Sequence, residues 1–391
     1  VRTNPLRGIS RNVLILGLVS FATDASTEMI YPLIPLFLTG VLHAPVAVLG
    51  MIEGLAEATA SVLRGASGWV SDRVRCRRPL VIGGYGLSAL TKPLLALAGA
   101  WPLVLVARVL DRFGKGVRGT PRDALIADSS EPEVRGRAFG FHRSADQAGA
   151  VLGPLLALPL LALFHQNLRA LFVVAFLPAA AGVATLLAVR ETGRGTAAAA
   201  PPRLRFADVR PELRRFLGAM LLFAVGNSSD MFLILRARDL GLSAADIVVA
   251  FAAFNLVYVI SAYPAGILSD RIGRERVMAA GLGVFALTYL GFTLAATPVW
   301  VWVLLPFYGL YQGLTDGVSR ALIADLAPTE HRATVLGFFS MATGLAAFAA
   351  SGIAGLLWQW RGAPAAFLYG ALLAAVAAAL LALRHPAALL E

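Results

Sequence analysis

Apolar residues gather into long runs parted by short stretches rich in arginine. In the first half of the chain the runs fall near 12–38, 45–66, 79–100, 102–124, 136–162 and 168–189. In the second half they fall near 213–236, 243–267, 277–296, 300–323, 333–357 and 364–383. A helix that crosses hydrocarbon takes roughly 20 apolar residues, and each run has about that length. The pattern predicts an all-α membrane protein with 12 transmembrane helices. Charges interrupt several runs, and the fourth would score poorly by hydropathy alone.

An internal repeat is the reason to count that fourth run. Ala124-Leu-Ile-Ala-Asp128, followed by Glu133, Arg135, Gly140 and Phe141, returns as Ala321-Leu-Ile-Ala-Asp325, Glu330, Arg332, Gly337 and Phe338. The offset is constant at about 197 residues, half of the chain. Gly68-Trp-Val-Ser-Asp72-Arg73 likewise returns as Gly266-Ile-Leu-Ser-Asp270-Arg271. Self-similarity over half a length is how many secondary transporters are built. The expected organisation is two pseudo-symmetric six-helix bundles, residues 1–190 and 213–391, joined by a linker over 191–212. That linker, with Ala197–Ala200 and Pro201-Pro202, carries no sign of a separate domain.

Composition supports lipid as the solvent. The chain has 391 residues, 58% hydrophobic and 15% charged, with mean hydropathy +0.73. A soluble domain carries about 25% charged residues. The net charge of +11 does not point to nucleic acid, because the arginines lie between apolar runs and not on one soluble module. One cysteine, Cys76, excludes an internal disulfide. No cleavable signal peptide is expected, since the first apolar run is long and continues past Pro32 and Pro35.

Arginine placement sets the expected orientation. Arg73, Arg75, Arg77 and Arg78 follow the second run, and Arg122, Arg135 and Arg137 surround the junction of the fourth and fifth. Seven more, from Arg190 to Arg215, crowd the centre, and Arg271, Arg274 and Arg276 follow the eighth run. The alternate loops hold only Arg169, Arg236, Arg238 and Arg361. A multi-pass protein of the inner (cytoplasmic) membrane is expected, with both termini cytoplasmic.

Charges inside the runs are the candidate chemistry. Each costs about 2.5–3.5 kcal/mol at the bilayer centre on insertion scales. The first helix carries Asp24 and Glu28, four apart and so on one face. The fourth carries Arg108 and Arg112, also four apart, together with Asp111, Lys115 and Arg118. The helices run in opposite directions, so Asp24 matches Arg112 in depth and Glu28 matches Arg108. Two facing ladders of opposite sign are expected, and these four residues are the candidate proton-coupling set. Lys115 is expected to pair with Asp111. Glu53 and Glu57 share a face of the second helix and would bind a cation, hold a proton, or pair with Lys92 or Arg64. Asp146 on the fifth helix is a gate or a ligand. Phe21-Ala22 and Glu28-Met29 return as Phe223-Ala224 and Asp230-Met231, which makes Asn227 and Asp230 candidate cavity residues. Tyr308, Tyr311 and Asp316 on the tenth helix join them.

With these features the chain resembles the major facilitator superfamily over nearly its whole length. Gly266-Ile-Leu-Ser-Asp270-Arg271-Ile-Gly273-Arg274 is similar to that family's signature between the second and third helix of a half. The first copy departs from it with Arg75 where glycine is usual. The resemblance implies a gate in which Asp72 and Arg73, with Arg112 or Asp128, latch the two halves on one side. Arg135 belongs to the same set, and Gly266, Asp270, Arg271, Asp325 and Arg332 are its second-half counterparts. Gly149-Ala-Val-Leu-Gly153-Pro154 looks like the family's antiporter motif, which implies export, although its trailing glycines are replaced by Leu156, Ala157 and Leu158. In this family helices 1, 4, 7 and 10 line a central cavity, and Arg112 falls where the helix-4 signature has an arginine linked to proton coupling.

Other chemistries find no support in the residues. There is no phosphate-binding lysine loop for ATP, no pair of histidines at metal spacing and no nucleophile–histidine pattern. No cofactor, metal or nucleic acid is expected, and the chain is not expected to be an enzyme. The expected function is proton-coupled secondary transport by alternating access, in a monomer whose partners are a small-molecule substrate, protons and the lipid bilayer. Export of a small organic molecule or drug by proton antiport is favoured. Uptake by symport and export of a metal ion are the alternatives.

Overall fold

The computed structural model describes residues 9–74, 77–131, 135–191, 210–327 and 332–383. These form 12 helical spans and, among the described residues, no strand. They are α1 (Arg11–Val41), α2 (Val46–Val74), α3 (Arg78–Ala96), α4 (Trp101–Asp128), α5 (Arg135–Leu163) and α6 (Leu168–Leu186). The second half repeats them as α7 (Pro211–Asp239), α8 (Ala244–Ile272), α9 (Arg274–Leu294), α10 (Val299–Leu326), α11 (Arg332–Arg361) and α12 (Ala363–Ala382). Nine of the spans contain a window long and apolar enough to cross a membrane. The other three are α3, α4 and α10. Charge dilutes α4, as the sequence predicts, and tyrosine, glutamine and aspartate dilute α10.

Two spans are interrupted. In α1 the ladder tightens to a 3₁₀ turn at Tyr31–Leu33 and loosens to a π turn at Phe37–Val41. Pro32 and Pro35 cause this, because neither can donate to the helix ladder. α7 stops at Gly226 and restarts at Met231, although its hydropathy predicts one continuous run. Asn227, Ser228 and Ser229 lie between the pieces, and such side chains compete with the backbone for hydrogen bonds.

The chain divides into two compact units, Val1–Ala44 with Leu55–Ala199 and Pro45–Gly54 with Ala200–Glu391. In the first, α1 packs on α5 and α6, and α3 packs on α4 and α6. In the second, α7 packs on α11 and α12, and α9 packs on α10 and α12. The same helix contacts therefore recur six spans on. An apolar cluster of Val13, Leu16, Val19, Val81, Tyr85, Leu125, Ile126, Ala138, Leu186 and Val189 holds one end of the first unit.

The repeat also preserves an ion pair. Arg77, at the start of α3, pairs with Asp128, at the end of α4. The offset carries these positions to Arg274 and Asp325, whose Nη1 and Oδ2 lie 3.0 Å apart. Asp128 thus belongs to an intra-unit clamp through Arg77. Arg274 also reaches Asp270 at 3.6 Å. The side chains of Gly68, Asp72, Arg73, Arg135 and Arg332 lie outside the described residues. Among the described residues nothing lies within 4 Å of the place a Cβ would take at Gly266. The turn of the motif falls on Gly273 instead, at φ 95°, where a side chain would be strained.

Gly149 and Gly153 seat α5 on α1. A Cβ at Gly149 would strike the Phe21 carbonyl, and one at Gly153 would come within 2.6 Å of the Ala25 carbonyl. Pro154 follows within the helix. Gly153→Val should therefore destabilise the protein by about 1–3 kcal/mol, as overpacking does. Gly266→Ala should leave its melting temperature unchanged or slightly raised. Thermal unfolding of both variants in detergent checks this contrast, and equal losses would contradict it.

Candidate functional site

In the first unit the charges of α4 project to different neighbours. Asp111 is buried at the interface with α3, where Lys92 Nζ meets its Oδ1 at 3.2 Å. Arg108 approaches its Oδ2 at 3.7 Å. The Lys92 side chain is only 1% exposed. Its Nζ also donates to the Ser88 carbonyl at 2.9 Å. Arg118 donates to Ser88 Oγ at 2.6 Å and stacks its guanidinium over Tyr85, 4.2 Å from the ring centre. The expected Lys115–Asp111 pair is thus replaced by Lys92–Asp111. Lys115 is exposed and lies instead in the field of Asp24 and Glu57.

The expected Asp24–Arg112 rung of the ladder is also rearranged. Arg112 Nε lies 3.7 Å from Glu57 Oε2 on α2, and Arg64 Nη2 lies 3.5 Å from Glu57 Oε1. Asp24 is not partnered by Arg112. Its neighbours are Asp146 on α5, within side-chain hydrogen-bonding reach, and Lys115. Ser20 Oγ donates to Asp146 Oδ1, and Arg143 Nη1 lies 3.4 Å from Oδ2. Arg108 places its guanidinium 5.6 Å from the Tyr31 ring centre. Glu28 packs its Cβ near Gly153 and lies in the field of Asp24. Glu53 is buried and belongs to the second unit.

In the second unit the break in α7 brings polar groups together. Tyr308 donates its hydroxyl to Asp230 Oδ1 at 2.7 Å. Asn227 Nδ2 reaches the Tyr311 hydroxyl at 3.4 Å. Ser228 and Tyr289 place their hydroxyls 3.5 Å apart, and Ser229 N donates to Ser351 Oγ at 3.2 Å. The tyrosine rings are core, packed with Phe223, Phe254 and Phe285. Asp316 stands apart, accepting from Tyr258 at 2.9 Å and from Arg320 at 2.9 Å.

The sequence does not show which partners several polar residues take. Ser88, Lys92 and Arg118 form the buried network with Asp111. Their signal is spacing: Ser88 and Lys92 are four apart, Asp111 and Arg118 seven apart, so each pair shares a helix face. His142 is only 4% exposed, and its Nε2 has no hydrogen-bond partner. It lies four residues before Asp146, on the same face. Among the described residues, no three of His, Cys, Asp or Glu are placed to hold a metal ion.

The sequence pattern of the Major Facilitator Superfamily matches residues 16–235 and 215–390. The chain belongs to the major facilitator superfamily. It is a multi-pass membrane transporter of that family. It is 34% identical, over 96% of its length and 95% of the relative's, to an MFS-type transporter of Methanocaldococcus jannaschii. It is 26% identical, over 85% of its length and 82% of the relative's, to the multidrug resistance protein MdtH of Edwardsiella ictaluri. A mutant POT peptide transporter solved with sulfate superposes at TM-score 0.80 with 16% identity, over 95% of this chain and 94% of that one. The nucleoside transporter NupG superposes at 0.75 with 14% identity, over 95% and 98%. At such identities the two structures establish the fold alone.

The α3–α4 network makes a sharp test. Breaking a buried ion pair typically costs about 3–5 kcal/mol, whereas replacing both partners with apolar groups is often neutral. Lys92→Met should lower the melting temperature strongly, and Lys92→Met with Asp111→Leu should recover much of the loss. A double-mutant cycle on thermal unfolding measures this coupling, and additive losses would show that the two side chains act separately.

Proposed function

We propose that this transporter exports small organic molecules, with drug-like cations as the first class to test, in exchange for protons. Alternating access between the two bundles carries them across the cytoplasmic membrane. The arginine-rich loops then face the cytoplasm, both termini lie inside, and one chain suffices. No bond of the cargo is made or broken.

The observation that carries this reading is the Arg112–Glu57 pair. It lies within the spans, where the Glu57 side chain is 42% exposed and that of Arg112 only 11%. Magnitudes separate it from the other acids. A half-exposed pair falls between the exposed limit of about 0–1 kcal/mol and the cost of breaking a buried one, about 3–5 kcal/mol. One pH unit supplies about 1.4 kcal/mol per proton, and 100 mV adds about 2.3 kcal/mol per charge moved. A proton can therefore open the Arg112–Glu57 pair but not the Lys92–Asp111 pair. Arg112, freed from Glu57, is the mobile cation that passes the state of one acid to the next. Asp230 at the α7 break, held by the Tyr308 hydroxyl, suits a positively charged organic cargo, since a carboxylate attracts cations. The relation to MdtH supports drug-like cargo.

Ethidium taken up by proteoliposomes with an acidic interior tests the proposal. One-for-one exchange should accumulate it about tenfold per pH unit, with protons leaving as ethidium enters. Glu57→Gln and Arg112→Ala should each abolish the accumulation. Accumulation that ignores the gradient would overturn proton coupling. Ethidium that moves no faster than in protein-free vesicles would overturn the drug-export reading.

A further inference from the structure

We propose that Asp24 and Asp146 form a carboxyl pair that binds one exchangeable proton inside the first unit. This rests on the proton-coupled reading above and gives the proton that works the Arg112–Glu57 switch a resting place. The site is built by helix packing. Gly149 and Gly153 press α5 against the Phe21 and Ala25 carbonyls of α1. Asp146, three residues before Gly149, then faces the same side of α1. Ser20 donates to it there. Asp24, four residues beyond Ser20 and on its face, lies within side-chain hydrogen-bonding reach of Asp146.

Two carboxylates offer only acceptor oxygens, so neither can donate to the other. Half-buried side by side they repel, and the pair relieves this by taking a proton between its facing oxygens. The proton comes from water, and two carboxylates become one carboxyl and one carboxylate. The surroundings decide where it rests. Ser20 and Arg143 both donate to Asp146, so Asp146 stays the acceptor and Asp24 carries the hydrogen.

The charged groups around the pair come from four helices. α1 adds Glu28, and α4 adds Lys115, Arg122 and Asp123. α5 adds His142 and Arg143, and α3 adds the Tyr85 hydroxyl against Arg122. α6, on another face of α1, has no charged residue between Leu171 and Leu186. A second observation points to proton traffic here. The buried His142 imidazole, with Nε2 unpartnered, lies in the field of Asp146 and Arg122. An imidazole both accepts and donates, so it can pass a proton between water and the pair. Lys115, sensing both Asp24 and Glu57, links the proton site to the Arg112–Glu57 switch.

Infrared difference spectroscopy of the full chain in lipid reads the site without any cargo. Wild type should show a protonated-carboxyl band at neutral pH that disappears in alkaline buffer. Asp24→Asn and Asp146→Asn should each remove that band, while Asp246→Asn at the surface cap of α8 should keep it. The wild-type spectrum decides even if a variant fails to fold. A missing band at neutral pH, or one that survives both substitutions, overturns the proposal. A band that behaves as expected beside gradient-blind ethidium uptake upholds the proton site and overturns the coupling reading instead.

Discussion

A charge drawn into lipid must find its partner inside the bundle, and the first unit is arranged around that need. α4 cannot turn Arg108, Asp111, Arg112, Lys115 and Arg118 toward hydrocarbon. It therefore divides them among its neighbours. Asp111 goes to Lys92 of α3, and Arg112 goes to Glu57 of α2. These pairings hold α4 against α2 and α3, at the cost of a poor hydropathy score for α4 itself.

The two units solve the same packing problem with different chemistry. The repeat offset puts Lys92 in register with Tyr289 and Asp111 with Tyr308. One unit fills this interface with a buried ion pair, the other with tyrosine rings 6.2 Å apart. Ser88 becomes Phe285, which stacks on Tyr289 at 4.0 Å. The backbone arrangement is shared, because the same helices meet. The side chains have diverged from ionic to aromatic. This concentrates titratable groups in the first unit and leaves Asp230, held by Tyr308, at the break in α7 of the second.

Conserving charge balance and conserving shape are separate tasks within the repeat. The Arg77–Asp128 and Arg274–Asp325 pairs lie at helix ends, where water screens them and lets them contribute modestly. The Lys92–Asp111 pair lies deep, where the loss of either partner leaves an uncompensated charge. The first kind recurs in both units as a clamp between the third and fourth helices of each. Among the described residues the second kind holds the third and fourth helices of the first unit, and tyrosine rings take its place in the second.

Sequence alone determined the number of spans, their order, the duplication and the family. Hydropathy sets how far along a helix each residue lies, at about 1.5 Å per residue, so the depth of Asp24, Arg112 and Glu57 was legible. It does not set the direction in which a side chain points around the helix axis. That angle decided the partners. Asp24 and Arg112 match in depth, yet Gly149 and Gly153 roll α5 onto α1 and deliver Asp146 to Asp24. Lys92 reaches Asp111 because α3 and α4 cross closely at Gly84 and Gly114, where added side chains would strike backbone. The break in α7 was likewise hidden, since its residues lie inside one apolar run. Depth is a property of one helix and can be read from its sequence. Facing is a property of two helices packed together, and only the tertiary structure fixes it.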